Sequence, residues 1–319
     1  MVAATLQSLG YLPVATATLF PATEINCDLF LQRTGHPIEI YRSSNYPLTV
    51  EDLQRLGRSG IDHLYIRTGD ADEYRKYLCQ QVLHQESVPA VARVSALREA
   101  TRVAFQEALD ASDPGHAVHM ATEFGRGLAS MIAEQAVALE EMFHILEHDY
   151  YTFTHVCNVG TYCVLLAREL GIVDAPALAE VATGALLHDI GKRNVPSAVL
   201  NKPDKPTDDE WAVIRRHPTS GFQELRKRPD LSWPQLMMVY QHHERLDGSG
   251  YPSGAVAEDI HPWAKICAVA DVFDALTCSR PYRKPVPVHE VCEYLQKHSG
   301  TWFDSEAVAC WSSQVRNIA

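Results

Sequence analysis

Apolar positions change their period along this chain. Over the first 85 residues they fall in short runs rich in β-branched and aromatic side chains: PVATATLF (13–20), CDLFLQ (27–32), PIEIYRS (37–43) and HLYIR (63–67). That spacing predicts strands. Between the last two, LTVEDLQRLGRSG predicts a helix, with Thr49 as N-cap, Glu51 and Asp52 in the first turn and Gly57 or Gly60 as the stop. DADEYRKYLCQQVL (70–83) predicts a closing helix. Residues 1–85 therefore read as a small α/β domain. They carry no Gly-rich phosphate loop and no ligand cluster, which points to a regulatory, sensory or dimerisation role.

From residue 86 the period becomes helical. VARVSALREATRVAFQEAL (91–109) keeps apolar residues three and four apart, and Asp113-Pro114-Gly115 breaks the pattern. A second long helix is predicted over 120–146. Residues 86–119 read as a helical connector, serving either as a stalk that pairs two copies into a homodimer or as a plain packing helix. From 150 onward helices alternate with Pro/Gly-rich loops: 153–170, 177–191, 208–217, 233–244, 262–278 and 288–298. Thr207 with Glu210 makes a capping-box pattern for the third of these. The overall expectation is an α+β chain, with a mostly α-helical domain over 120–319.

Composition narrows the classes. Of 319 residues 46% are hydrophobic, enough for real cores. Lys and Arg number 28 against 40 Asp and Glu, a net charge of −12. Such a balance argues against a surface that grips long nucleic acid, though not against one local anion site. There is no apolar run of about 18 residues, so no membrane insertion is expected. The first basic residue is Arg33, so a signal-peptide n-region is missing. Eight Cys without a CxxC pair read as reduced thiols. A cytoplasmic location is the simplest expectation.

The 15 His sharpen the picture. His155 sits on an apolar helix face with Val159, Tyr162 and Leu166. His188-Asp189 closes the apolar run GALL. His217 ends a predicted helix, His242-His243 follows LMMVYQ, and Asp271 interrupts ICAVADVF. A single such residue is usually a satisfied core group. Seven buried separately would each cost on the order of a few kcal/mol in desolvation. A shared divalent metal centre lowers the joint cost. Five His and two Asp exceed the needs of one four-coordinate ion, and a bridging carboxylate would hold two metals at the spacing used in phosphoryl chemistry.

These residues resemble the HD superfamily of metal-dependent phosphohydrolases, with His188-Asp189 spaced after His155. More specifically, QHHERLDGSGYPSG (241–254) resembles the signature of the HD-GYP group, with His242-His243-Glu244, Leu246-Asp247-Gly248 and Gly250-Tyr251-Pro252 in order. ALLHDIGKRNVP (185–196), LNKP (200–203), HPTSG (217–221) and ADVFDALTCSRPYRKP (270–285) also match. The resemblance covers residues 145–300. It implies an HD-type helical bundle that cleaves cyclic di-GMP to pGpG and/or GMP, using a bridging hydroxide on a dinuclear metal centre. By the same resemblance, His155, His188, Asp189 and Asp271 hold one metal. Asp189, His217, His242 and His243 hold the other, with Asp189 bridging. Some relatives add a third ion through a Glu where this chain has Tyr151, so two ions per chain are expected. The resemblance suggests iron or manganese; the ligand set would also accept zinc or nickel.

Further roles are expected around this centre. Lys192 would neutralise transition-state charge or assist the leaving oxygen, its plainer role being a helix C-terminal cation. Arg280 and Arg283 would contact phosphate or a guanine edge. Tyr251 would hydrogen-bond or stack on the ligand, in a loop that Gly248 and Gly250 allow to be tight and Pro252 restrains. Asp274, one turn after Asp271, would meet the substrate or orient a ligand or base. The alternatives are a cyclic di-GMP sensor, a docking module for diguanylate cyclase-type partners, or an HD hydrolase of another nucleotide. Two divalent ions would add about four positive charges at one spot, so the acidic chain can still bind a small phosphodiester.

Overall fold

The computed structural model describes residues 9–21, 23–33, 35–83, 92–101, 114–133, 152–200, 204–278 and 284–316, with 6, 85, 88, 89 and 202 besides. Residues 1–104 and 105–319 form two compact units. Tyr151, Arg280 and Arg283 lie outside the described residues, as do the expected helical stretches 102–109 and 134–146.

The first unit is a four-stranded sheet with helices packed on it. Its strands are β1 (Tyr11–Ala15), β2 (Leu29–Leu31), β3 (Glu39–Arg42) and β4 (His63–Arg67), in the order β1-β4-β2-β3. Every pairing is antiparallel, with Leu12 opposite Ile66 and Val14 opposite Leu64. These four alternate residues are buried and point one face of β1 and β4 into the core. The expected 13–20 strand stops at Ala15, because Thr16–Thr18 turn into a 3₁₀ segment. There the Thr18 hydroxyl shares a 2.6 Å hydrogen bond with the Tyr74 hydroxyl. Helix α1 (Val50–Arg58) has the expected N-cap: Thr49 Oγ1 accepts from Asp52 N, and the Asp52 carboxylate accepts from Thr49 N. Helix α2 (Ala71–Tyr77) continues into a π-helical turn to Leu83. Residues 92–101 form α3, whose Ala96 and Ala100 join the core of this unit.

The second unit is helical. Its longer described helices are α4 (Gly115–Ala133), α5 (Thr152–Glu169), α6 (Ala175–Leu187), α7 (Asp208–Ile214), α8 (His217–Leu225), α9 (Trp233–Gln241), α10 (Pro262–Thr277), α11 (Val288–Lys297) and α12 (Ser305–Arg316). Helix α6 is central, packing on α4, α5 and α9. Gly125 lets α4 approach it closely, since a Cβ there would meet Ala179 O at 2.6 Å. Helices α5 and α10 are locked together by Tyr162, Phe273 and Trp311 in edge-to-face contacts at 5.1–5.4 Å.

Two expectations change. His217 opens α8 instead of ending the helix before it. Pro218 explains this, because proline lacks an N–H and is favoured in a first turn. Helix α12, carrying the fully buried Trp311, adds an element that the sequence reading did not pick out.

Candidate metal centre

The second unit delivers seven His and Asp side chains to one point from the ends and faces of five elements. His155 and Asp271 project from the interiors of α5 and α10. His188 caps the C-terminus of α6, and Asp189 follows in the turn. His217 is the first residue of α8, and His242 caps α9 with His243 next. The close approach of the α6 turn to α8 depends on Gly191, where a Cβ would lie 2.0 Å from His217 O.

The seven fall into two sets. Asp189, His217, His242 and His243 each offer a donor atom, all within 4.8 Å of one another; so do His155, His188 and Asp271. Asp189 joins the sets through its two oxygens. Oδ2 lies 3.3 Å from His188 Nε2 and 3.7 Å from His155 Nε2. Oδ1 lies 3.2 Å from His217 Nε2 and 3.8 Å from His242 Nε2. His155 Nε2 also lies 3.1 Å from Asp271 Oδ1, and His243 Nδ1 lies 3.9 Å from Asp271 Oδ2.

The ring nitrogens are presorted. Nδ1 of His188 donates to Ala185 O, Nδ1 of His217 to Ile214 O, and Nδ1 of His242 to Met238 O and Val239 O. Nδ1 of His155 donates to Asp274 Oδ2 at 2.7 Å. In the neutral rings this leaves the Nε2 lone pairs directed inward. His217 Nε2 and His242 Nε2 are then 3.1 Å apart, two acceptors facing each other. His188 Nε2 and Asp189 Oδ1 are buried without a hydrogen-bond partner. Acceptors crowded together and left unsatisfied are what a bound cation resolves. The donor set, imidazole with carboxylate, suits a divalent transition metal.

Electrostatics keeps these groups ready to bind. Burial alone would raise the Asp189 carboxyl, but Lys192, His188 and His217 outweigh it and hold it well below the ordinary range. Asp271 is likewise held down, against burial, by His155, His243 and His188. Burial and its imidazole neighbours keep His242 neutral far below the usual histidine range. The carboxylates are ionised and the imidazole is free of its proton, the forms that ligate metal.

The remaining expected residues are placed around this centre. Lys192 pairs with Asp189 Oδ2, with 23% of its side chain exposed. The Tyr251 ring packs on His243 at 4.7 Å, and Tyr251 N donates to His243 O. Asp274 is fully buried and lies behind His155, bonded also to Asn158 Nδ2 at 2.8 Å. Of the two roles expected for it, meeting substrate or orienting a ligand, its burial and its bond to His155 Nδ1 fit the second.

Two residues with clear positioning roles escaped the sequence reading. Asn158 stands one helical turn after His155 and shares Asp274 with it, a spacing that could have flagged it. Buried Glu244 accepts from Ser253 N, Ser253 Oγ and Ala255 N, and so clamps the loop that carries Tyr251. Gly250 completes the clamp: a Cβ there would lie 2.5 Å from Glu244 Cα.

A helical unit that gathers His, His-Asp, His, His-His and Asp around one point defines a protein of the HD type. The chain matches the HD domain family over residues 129–307 and belongs to it, with the motif set of the HD-GYP group. It is 32% identical over 306 residues to cyclic di-GMP phosphodiesterase PA4108 of Pseudomonas aeruginosa, covering 88% of this chain and 72% of that one. It is 43% identical over 147 residues to the cyclic di-GMP phosphodiesterase response regulator RpfG of Xanthomonas campestris pv. campestris, covering 45% of this chain and 38% of that one. It is 38% identical over 159 residues to 3'3'-cGAMP-specific phosphodiesterase 3 of Vibrio cholerae, covering 50% and 34%. Among solved structures, Bd1817, a HDG"Y"P protein from Bdellovibrio bacteriovorus, shares the fold, with a TM-score of 0.71 at 21% identity. That match covers 96% of this chain and 99% of the other. No described helix is long and apolar enough to cross a membrane.

Proposed function

We propose that the chain hydrolyses cyclic di-GMP at its phosphodiester bonds, releasing pGpG and/or GMP, through a dinuclear centre bridged by Asp189. The observation that carries the reading is the division of the Asp189 carboxylate, one oxygen toward each set of donors. His155, His188 and Asp271 would complete one site; His217, His242 and His243 would complete the other. Iron or manganese is the expected metal. Two divalent ions, when bound, supply an activated water near neutral pH and offset charge on the phosphoryl oxygens.

The side chains do the rest. Asp274, itself held by Asn158, fixes the His155 ring so that its Nε2 faces inward. Lys192 stands beside Asp189 and is partly exposed, placed to donate to the leaving oxygen as charge develops. Tyr251, held through His243 and the Glu244 clamp, forms a wall on which the ligand rests. Arg280 and Arg283 are assigned to the substrate. The N-terminal domain is assigned a regulatory role, and the reaction a cytoplasmic setting. The named relatives bracket the substrate class, since they include enzymes named for cyclic di-GMP and for 3'3'-cGAMP.

The test is a time course with anaerobically purified protein on cyclic di-GMP, 3'3'-cGAMP and mononucleotides. The proposal expects pGpG or GMP to accumulate fastest from cyclic di-GMP. A metal-loaded protein that binds cyclic di-GMP without cleaving it would contradict the hydrolase reading in favour of a sensor.

A further inference from the structure

We propose that Arg215 is a substrate-contacting residue of this site, binding the phosphate of the cyclic dinucleotide that is not being cleaved. The inference rests on the hydrolase reading above. A cyclic dinucleotide carries two phosphodiesters in one ring, each with a negative charge. The metal ligands address the bond that is cut. The other phosphate needs a cation at the edge of the same site.

Among the described residues, Arg215 is an arginine placed for this. Many arginines are committed to carboxylates: Arg42 and Arg55 to Asp52, Arg75 to Asp72, Arg126 to Glu123, Arg193 to Glu224, and Arg228 to Asp230. Arg215 has no carboxylate within ion-pair distance among the described residues. Its side chain is exposed. Its Cζ lies 5.4 Å from the centre of the Tyr251 ring, the same ring that packs 4.7 Å from His243. Lys192, the other cation beside these residues, is already paired with Asp189.

The backbone fixes this position. Arg215 ends α7, with its N–H donating to Trp211 O at 2.9 Å, and it stands two residues before His217. At 5.4 Å the guanidinium is within cation–π range of the ring. An exposed guanidinium can fork two N–H groups onto two phosphate oxygens, which a lysine cannot reproduce. Arg215 and Tyr251 together thus make a rim: an aromatic surface with a cation on it, beside the donors of the metal site.

The test uses the full-length, metal-loaded protein and compares R215A and R215K with wild type. Two substrates are used: cyclic di-GMP and bis(p-nitrophenyl) phosphate, which has a single phosphodiester. R215A is expected to raise KM for cyclic di-GMP by about 10- to 100-fold, the range for losing a charge-assisted contact. The fall in kcat should be much smaller, R215K should lie between, and bound metal should match wild type. The KM effect on bis(p-nitrophenyl) phosphate should be at least about tenfold smaller. Equal losses on both substrates, a loss confined to kcat, or no change would overturn the proposal. Should wild type fail to cleave cyclic di-GMP, the hydrolase reading falls. The Kd of cyclic di-GMP for wild type and R215A then decides Arg215, and equal values overturn its role.

Discussion

Asp52 and Asp189 are both buried carboxylates, one in each unit, and their surroundings differ in kind. Asp52 closes the capping box of α1 by accepting from Thr49 N and Thr49 Oγ1, and it pairs with Arg42 and Arg55. Its partners are protein groups that satisfy it on the spot. Asp189 is surrounded by four imidazoles and one ammonium, yet its Oδ1 has no hydrogen-bond partner. Both carboxyls are depressed against the opposing pull of burial, Asp52 by Thr49 and the two arginines, Asp189 by Lys192 and the histidines. A shifted acidity therefore does not separate a structural carboxylate from a functional one. What sets Asp189 apart is an unsatisfied oxygen facing a cluster of imidazole nitrogens, His188 Nε2 among them also without a partner, an arrangement that a bound cation resolves.

The contrast is broken most severely by removing each carboxylate. Asp189→Ala is expected to lower phosphodiesterase turnover by at least about 10³-fold, about 4 kcal/mol in the barrier, measured as product release from cyclic di-GMP. Next, Asp274→Ala should weaken metal binding about 10- to 100-fold while leaving the ligands in place, read by competition with a chelator. Asp52→Ala should cost the first unit about 1–3 kcal/mol of stability, seen in denaturant melts, with metal content unchanged. The last effect is one of pH. Burial and His217 push the His243 imidazole down to about 3, against the pull of Asp271. The unfolded ring takes up its proton near 6.5, so below that pH the unfolded state binds more protons and stability falls. The metal-free second unit should lose stability from about pH 6.5 down to about 3. Asp52, depressed below its unfolded value, contributes stability above that value that is lost only as pH falls through the folded one. Hydrogen exchange followed separately in peptides of each unit checks the difference: second-unit protection should decline first.

Much of this site could be read from the chain, because its ligands are set at helix ends and faces by local pattern. His188-Asp189 after an apolar run and His242-His243 after another mark positions where a buried helix terminates. Local chemistry also disclosed the Thr49 N-cap and the Thr207–Glu210 capping box, both of which form. What remained hidden was non-local. The strand order β1-β4-β2-β3 depends on pairings between segments far apart in sequence, and alternation within a strand says nothing about its neighbour. Asp274 belongs behind His155 because α5 and α10 pack through Tyr162 and Phe273, a contact across more than a hundred residues. Glu244 sits in the most distinctive motif of the chain, but its role depends on how the following loop folds back over it.

The central claim is that one carboxylate serves two metal positions. Metal quantification on anaerobically purified wild type and Asp189→Ala, both checked for native fold, tests it most directly. The account predicts about two ions per chain in wild type and near-complete loss of both in the variant. Three well-occupied sites in wild type, or two ions retained in Asp189→Ala, would contradict it.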